Sequence, residues 1–316
     1  MAVTVNDRYR ADNVPIAPKL VPPHNNFFML SPEQQRDWLQ DGYLVLPGFK
    51  AAADVTAASQ RAAELVEAFQ PATHTGVFST RDRSRVADAA LLASAEAVHC
   101  FFEEEAFDAQ GQLCVEKNRA INKIGHALHD LDPVFDAFSH GPELAALALS
   151  LGLKRPQVWQ SQLIFKQPRI GGEVGWHQDG SFFASDPPTV LTFWFALEDA
   201  TLDNGCLWVH AGAQASPLRE RYVCDSSPAG KRLQMQPMDT TPWPTMDQAT
   251  PLPVPAGTLV VFGGNLPHCS APNRSERSRL AYTLHATCDR ARYSPLNWLQ
   301  RSSALPVRGF AWGTAE

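Results

Sequence analysis

The sequence lacks the features that mark several specialised classes of protein. No apolar run approaches the roughly 20 residues that a membrane-spanning helix requires. Residues 1–7 contain no basic segment followed by an apolar stretch, and no secretory signal is predicted. Cations are also few, because 27 Lys and Arg against 33 Asp and Glu give a formal net charge of -6. That balance argues against a general nucleic-acid-binding or anionic-membrane surface, which requires clustered cations.

Cysteine is scarce as well, and its pattern argues against a disulfide-stapled protein. The chain has six cysteines in 316 residues, and no two of them form a C-x-x-C pair. A chain of this length buries enough apolar surface to fold without cross-links. We therefore expect free thiols in a reducing compartment, a cytoplasmic location, and neither a membrane nor a nucleic acid as partner.

The remaining composition is that of an ordinary globular protein, with helical patterns in the first half. Residues 1–30 are rich in Pro and Asn and have no hydrophobic period, which we interpret as an extended or disordered arm. Ser31 and Pro32 predict the start of a helix, because Ser can cap it and Pro suits its first turn, and Gly42 predicts its end. Three further segments follow in this half: a strand at 43–46, a helix at 54–69, and helical turns that open at Pro133 and Pro142.

The pattern changes after Gly152, where apolar runs shorten to strand length and turn signals separate them. Asn204 and Gly205 predict a tight hairpin, because both residues accept a positive φ. The clearest predicted strands are 160–166, 190–197, 258–262 and 280–286. Many short strands in a segment of this size indicate a sandwich or a barrel-like jelly roll.

We therefore predict a mainly β fold with flanking helices, built on a double-stranded β-helix (a cupin-like jelly roll). It would form one domain over 31–316, with a helical part at 31–154 and the jelly-roll core at 155–290. The segment 216–255 is rich in Pro, Thr and Met, and we expect a long loop there. Long loops of compact domains often act as lids.

A candidate metal site begins with the tripeptide His177-Gln178-Asp179. Residues i and i+2 of a strand point to the same side, so His177 and Asp179 can converge on one ion. His268 follows a predicted strand and could supply a third ligand. Two imidazoles and one carboxylate on one face of an octahedron leave three open positions, as in non-haem iron(II) oxygenases. The tripeptide alone is a weak signal, and structural histidines remain an alternative reading of it.

Arg279 adds a second candidate function to this region. It stands eleven positions after His268 and shares a strand face with Ala281, Thr283 and His285. An Arg beside small residues is unusual for packing, yet its planar fork can bind a carboxylate such as the distal end of 2-oxoglutarate. The alternative is a surface Arg in a basic run with Arg274 and Arg277.

Longer stretches of the chain resemble the phytanoyl-CoA dioxygenase family. The similarity covers nearly everything after residue 31, and such stretches are far more specific than the tripeptide. They are 41–48 (DGYLVLPG), 121–129 (INKIGHALH), 164–168 (IFKQP), 171–174 (GGEV), 198–201 (EDAT), 204–208 (NGCLW) and 294–300 (SPLNWLQ).

The resemblance implies roles for particular residues. It places the metal ligands on His177, Asp179 and His268, and the 2-oxoglutarate contacts on Lys123, Trp194, Ser270 and Arg279. Without it, Trp194 would be interpreted as core packing. Gln162 stands where a relative has Met at this cosubstrate site, which makes that wall polar. A second departure from the family's sequence pattern is Ala211-Gly-Ala-Gln214, which stands in place of P-G-S-H. It also bears on the shape of the pocket.

The resemblance further implies an Fe(II)- and 2-oxoglutarate-dependent dioxygenase that also uses O2. Such an enzyme hydroxylates a C–H bond of a small or medium organic substrate and releases succinate and CO2. Phe182 and Phe183, just past Asp179, suggest a partly apolar pocket for that substrate. Two alternatives stay open, a non-catalytic metal-binding jelly roll and a zinc hydrolase. His126 and His129 stand three apart, as on one face of a helix, and are expected to be structural or to line the pocket.

Overall fold

A computed structural model describes residues 30–70, 77–78, 88–227 and 230–310. Apart from Leu30, the predicted arm 1–30 lies outside the described residues. Within them the α-helices are α1 (Pro32–Asp41), α2 (Ala52–Ala68), α3 (Asp88–Ala93), α4 (Leu128–Leu131), α5 (Pro133–Ser139) and α6 (Pro142–Ser150).

The first helix begins and ends where the sequence predicts. The Ser31 hydroxyl accepts a hydrogen bond from the Gln34 amide at 3.1 Å, and the Gln34 side chain accepts one from the Ser31 amide at 2.9 Å. This reciprocal pair satisfies two amide groups that the first turn leaves without partners. Gly42 closes the helix with a φ of 79°, a conformation that favours glycine.

Among the described residues the strands form a large sheet, a small sheet and two separate two-stranded pairs. They are β1 (Tyr43–Leu46), β2 (Val77–Phe78), β3 (Val98–Glu103), β4 (Ile121–His126), β5 (Pro156–Lys166), β6 (Val174–His177), β7 (Ser185–Asp186), β8 (Leu191–Ala196), β9 (Leu207–Val209), β10 (Glu220–Ser227), β11 (Gly230–Pro237), β12 (Thr250–Leu252), β13 (Leu259–Gly263), β14 (His268–Ser270), β15 (Arg279–Cys288) and β16 (Arg292–Tyr293). The large sheet has the order β1-β13-β8-β15-β5-β4-β3-β2, and the small one β12-β9-β14-β6. This arrangement confirms the predicted mainly β jelly roll.

The two faces of the large sheet have different neighbours, as strand alternation requires. Phe193, Phe195 and Tyr282 belong to the core that also contains buried residues of the helices α2, α5 and α6. Trp194 and Ala281 are the chain neighbours of these residues and point to the other face, where they pack with residues of β9 and β14 in the small sheet. The predicted common face of 279, 281, 283 and 285 is therefore the inner face, which looks toward the small sheet.

The structure corrects the prediction of a long loop at 216–255. This segment contains the antiparallel hairpin of β10 and β11, and its end supplies β12, which pairs with β9. Val223, Cys224 and Leu233 are buried, and because Leu233 pairs with Cys224 and not with Val223, both faces of the hairpin contribute buried residues. The prolines lie mostly outside the paired residues, which is why the composition suggested a loop. Strands β1 to β4 of the predicted helical part also join the large sheet.

A buried carboxylate in α4 attaches the C-terminal segment to that helix. Asp130, whose side chain is 2% exposed, has Oδ1 at 2.8 Å from Nε of Arg308. Its Oδ2 lies 3.2 Å from Nη1 of Arg301. The two groups form an ion pair in which both side chains are 2% exposed. Burial would raise the pKa of Asp130, but His129, Arg308 and Arg301 lower it to about 2. The same C-terminal segment carries Trp298 into the interior.

Replacing that carboxylate should destabilise the fold. In Asp130→Asn the charge of buried Arg301 is left without its partner, and we expect a loss of about 3 kcal/mol or more in the free energy of unfolding at pH 7. A carboxyl whose folded pKa is depressed stabilises the protein above its ordinary pKa and loses that contribution as pH falls toward the folded value. The difference between wild type and variant should therefore shrink between pH 4 and pH 2.

Urea unfolding at a series of pH values measures this effect. Asp203→Asn, which changes an exposed carboxylate, is the matched control and should behave as the wild type. Equal stability of Asp130→Asn and the wild type at pH 7 would contradict the proposed role of Asp130.

Candidate metal centre and its cavities

Three side chains converge where the small sheet meets the large one. His177 ends β6 and His268 begins β14, and the two residues are direct cross-strand partners with ring centroids 4.0 Å apart. Asp179 opens the short 3-10 turn that follows β6. Its Oδ1 lies 3.6 Å from Nε2 of His177, and its Oδ2 lies 3.6 Å from Nε2 of His268. One ligand atom from each residue lies within 4.8 Å of the others, close enough to hold one ion.

Backbone carbonyls orient both imidazoles. Nδ1 of His177 donates to the carbonyl of Gly175 at 2.9 Å, and Nδ1 of His268 donates to the carbonyl of Leu266 at 3.0 Å. These bonds assign the ring proton to Nδ1, so Nε2 carries the lone pair that a metal requires.

The Asp179 carboxyl is held in its charged form. Burial alone would raise its pKa, because a buried charge loses its hydration. The nearby His268, His285 and His177 outweigh that effect and hold the pKa of Asp179 well below its ordinary value. Two nitrogen donors and one anionic oxygen on neighbouring atoms fit iron(II) and leave room for further ligands.

The turn that carries Asp179 is anchored by its neighbours. The buried Gln178 amide donates to the carbonyls of Pro217 and Asn265, at 3.0 and 2.8 Å. Its oxygen accepts from the amide of Arg219 at 3.0 Å. Gly180 donates to the carbonyl of Gly264, and a Cβ on Gly180 would lie 2.8 Å from the Asn265 side chain. A side chain at position 180 would therefore require the Asn265 side chain to move.

Arg279 is buried near the same centre. It is 2% exposed, which rules out the alternative of a surface Arg, and its guanidinium lies 5.7 Å from the ring centre of Trp194. Its Nε and Nη1 are buried and have no hydrogen-bond partner among the described residues. Burial lowers the pKa of Arg279 to about 10, with small opposing effects from Cys206 and Glu198. Because unsatisfied buried donors are costly, an anionic ligand that reaches them fits this place.

A small cavity of about 70 Å³ connects the metal cluster with Arg279. The site residues expected from the sequence meet around it, except for one. Its lining includes His177, Asp179, His268, Gln162, Trp194, Ser270 and Arg279. Gln162 also has a buried side-chain oxygen without a described partner, so that wall is polar, as expected.

Lys123 is the exception, because it lines a second cavity that adjoins the small one at the cluster. That cavity measures about 210 Å³ and shares Gln162, His177 and Asp179 with the small one. Burial lowers the pKa of Lys123 to about 7, although Asp179 acts in the opposite direction. Rings cover much of the remaining wall. They come from Phe165, Trp176, Phe182, Phe183, Tyr222 and Trp298.

The two extra histidines have different environments and do not share a helix face. His126 ends β4, lines the larger cavity, and has its Nδ1 2.7 Å from the Ser94 hydroxyl. His129 lies in α4, where Nδ1 contacts the Ser161 hydroxyl at 2.7 Å and Nε2 lies 3.1 Å from Asp130. The prediction of a shared helix face is therefore wrong, and of the two expected environments His126 has the pocket lining while His129 has the buried structural one.

Two residues at the centre were missed by the sequence reasoning. The Thr192 hydroxyl donates to Oδ2 of Asp179 at 2.6 Å, and Nε2 of His285 lies 3.4 Å from the same oxygen. The position of His285 on the inner face with Arg279 was a signal that could have found it. Nothing in the sequence around Thr192 distinguishes it from an ordinary strand residue.

The jelly roll and this donor set together define a class, the jelly-roll proteins with a two-histidine, one-carboxylate centre typical of non-haem iron(II) enzymes. Sequence comparison places the chain more narrowly. Residues 38–281 match phytanoyl-CoA dioxygenase (PhyH), and the chain belongs to that family.

Curated relatives are similar in sequence to this chain along most of their length. Phytanoyl-CoA dioxygenase 1 of Oryza sativa subsp. japonica is 45% identical, over 86% of this chain and 94% of that protein. Phytanoyl-CoA dioxygenase domain-containing protein 1 of Bos taurus is 42% identical, over 88% of this chain and 97% of that protein. The resemblance that the sequence motifs indicated is confirmed.

Solved structures show the same fold at lower identity. The α-ketoglutarate-dependent carbocyclase SnoK from nogalamycin biosynthesis is 17% identical with a TM-score of 0.59, covering 89% of this chain and 97% of that one. EctD from S. alaskensis, solved with 2-oxoglutarate and 5-hydroxyectoine, is 21% identical with a TM-score of 0.58, covering 96% and 97%. Within the part of the chain that the structure describes, no helix is long and apolar enough to cross a membrane.

Removing the carboxylate should abolish metal binding at this centre. In Asp179→Ala two imidazoles remain, and we expect no saturable Fe(II) or Mn(II) binding at micromolar metal, measured anaerobically by calorimetry. Asp203→Ala, at an exposed carboxylate, should bind as the wild type does. Undiminished metal affinity in Asp179→Ala would refute the assignment of this residue.

Proposed function

We propose that the chain is an Fe(II)- and 2-oxoglutarate-dependent dioxygenase that hydroxylates a C–H bond of a small or medium organic substrate. The observation that carries this proposal is the small cavity, with a nitrogen, nitrogen and oxygen donor cluster at one end and Arg279 at the other. 2-Oxoglutarate has a chelating 2-oxo acid at one end and a carboxylate at the other. A cosubstrate of that chemistry matches both ends.

In this proposal His177, Asp179 and His268 hold iron, and Arg279 binds the distal carboxylate through its planar fork. Ser270 is a small hydroxyl donor beside that carboxylate, and Trp194 forms a wall. When bound, iron, 2-oxoglutarate and O2 supply an oxidative decarboxylation that releases succinate and CO2 and drives oxidation of the substrate.

The contribution of the chain itself is positioning and exclusion of water. Trp194 is 3% exposed and Ser270 3%, so the distal end of the cosubstrate would be removed from solvent. Lys123 lies on the larger cavity, which shares Gln162, His177 and Asp179 with the small cavity that Arg279 lines. We assign to its ammonium a contact with the bound cosubstrate, as the family resemblance implies.

The larger cavity is the proposed place of the organic substrate. It adjoins the metal cluster at His177 and Asp179, and its volume of about 210 Å³ suits a compact molecule. Its lining combines aromatic rings such as Phe182 and Trp298 with polar groups such as Lys123. A substrate with an apolar body and a few polar groups fits this lining. We retain the cytoplasm as the location expected from the sequence.

Arg279→Gln tests the cosubstrate site. Loss of two charge-assisted hydrogen bonds should weaken 2-oxoglutarate binding by about 100-fold or more, since each such bond contributes roughly 1.5–3 kcal/mol. Calorimetry with the Mn(II)-loaded protein under anaerobic conditions measures the change. Arg277→Gln, two residues earlier and exposed, is the matched control and should bind normally.

Turnover tests the reaction itself. Succinate formation from 2-oxoglutarate should require iron, should fail with zinc, and should disappear in Asp179→Ala. An untargeted metabolite screen for a gain of one oxygen then searches for the substrate. Zinc-dependent hydrolysis that persists in Arg279→Gln, with no succinate formed, would favour a hydrolase, and tight 2-oxoglutarate binding without turnover in any metabolite pool would favour a non-catalytic module.

A further inference from the structure

The two oxygens of the Asp179 carboxylate have different surroundings. Oδ2 accepts the hydrogen bond of the Thr192 hydroxyl at 2.6 Å and faces Nε2 of His285 at 3.4 Å. Nε2 of His268 lies 3.6 Å from the same oxygen, while Nε2 of His177 lies 3.6 Å from Oδ1. Among the described residues, none donates a hydrogen bond to Oδ1. The contacts at Oδ2 thus restrain the carboxylate, whereas Oδ1 is left available to bind a metal ion.

The restraint comes from two neighbouring strands. Thr192 of β8 and His285 of β15 are direct cross-strand partners, and they are 2% and 3% exposed. The His285 ring stacks on Phe183, with centroids 4.7 Å apart and planes at 20°. Phe183 follows Asp179 closely in sequence, so one short segment supplies both the carboxylate and the ring that orients its neighbour.

The hydrogen-bond pattern also determines which ring nitrogen of His285 carries the proton. Its Nδ1 is buried and has no partner among the described residues. A proton there would be an unsatisfied buried donor, whereas a proton on Nε2 faces the Asp179 carboxylate. His285 therefore presents a donor to Oδ2, in addition to the one from Thr192.

We propose that Thr192 and His285 are positioning residues that occupy Oδ2, so that Asp179 binds iron through Oδ1 alone. This inference rests on the proposed function, because it concerns the coordination positions that the cosubstrate needs. A carboxylate bound through both oxygens would take one of the three positions left by the triad. Keeping Oδ2 in hydrogen bonds leaves those positions for the chelating end of 2-oxoglutarate and for O2.

Metal affinity is the first measurement. Thr192→Val removes the hydroxyl and preserves the branched shape, whereas Thr192→Ser preserves the hydroxyl. Partners of metal-binding groups typically contribute about 10–100-fold to metal affinity. We expect the dissociation constant for Mn(II), measured by calorimetry or by its EPR signal, to rise by about that factor in Thr192→Val and to stay within about threefold in Thr192→Ser. His285→Phe, which retains a ring to stack on Phe183, should show a smaller rise.

The second measurement separates positioning from general damage. Succinate shares the distal carboxylate of 2-oxoglutarate and lacks the 2-oxo group that would chelate the metal. At saturating Mn(II), Thr192→Val should bind 2-oxoglutarate about 10-fold more weakly and succinate as the wild type does. The visible absorption of the anaerobic Fe(II)–2-oxoglutarate complex should shift in Thr192→Val and His285→Phe and return in Thr192→Ser.

Three results would overturn the inference. One is unchanged Mn(II) affinity and an unchanged ratio of 2-oxoglutarate to succinate affinity in Thr192→Val. A second is an equal loss for both ligands, which indicates a structural role only. A third is complete loss of metal binding in His285→Phe with normal binding in Thr192→Val, which makes His285 a ligand. If the wild-type protein binds metal but does not bind 2-oxoglutarate, the proposed function fails, and the Mn(II) affinities still decide the roles of Thr192 and His285.

Discussion

The antiparallel pairing of β6 with β14 is the contact on which the candidate site depends. Those two short strands set His177 directly opposite His268, although 91 positions separate them in the chain. Strand β6 lies at the edge of the small sheet, and β14 joins it to β9. A slip of one residue in this register would turn one imidazole to the opposite face. The anchoring of the Asp179 turn by Gln178 completes the geometry that this pairing begins.

Burial of charge is the second constraint that runs through the site. Asp179, Arg279 and Lys166 are each nearly inaccessible, and burial acts against the charged form of every one of them. Asp179 stays charged because histidines surround it, while Arg279 has donors without acceptors. A fold that keeps such groups apart from water holds free energy that ligand binding can recover. The proposed metal and cosubstrate supply the opposite charges at both places.

The division into two cavities separates the tasks of the proposed enzyme. Arg279, Ser270 and Trp194 line the small cavity, whereas aromatic rings from the sheets, the turn after Asp179, the hairpin and the C-terminal segment line the larger one. Tyr222 reaches the larger cavity from β10, and Trp298 reaches it from a segment that Asp130 attaches through two arginines. The hairpin and the C-terminal segment thus complete a wall whose other residues come from the sheets and from the turn after Asp179.

The sequence by itself determined the features that depend on local chemistry. The α1 cap at Ser31, the inner face of Arg279 and the candidate cluster of His177, Asp179 and His268 all follow from neighbours within a few residues, or from motifs shared with the family. Only the tertiary structure decided that 220–237 is a hairpin, that Lys123 lies on a different cavity from Arg279, and that Thr192 meets Asp179. Those facts depend on which strands pair and in which register, and pairing energy comes from residues far apart in the chain.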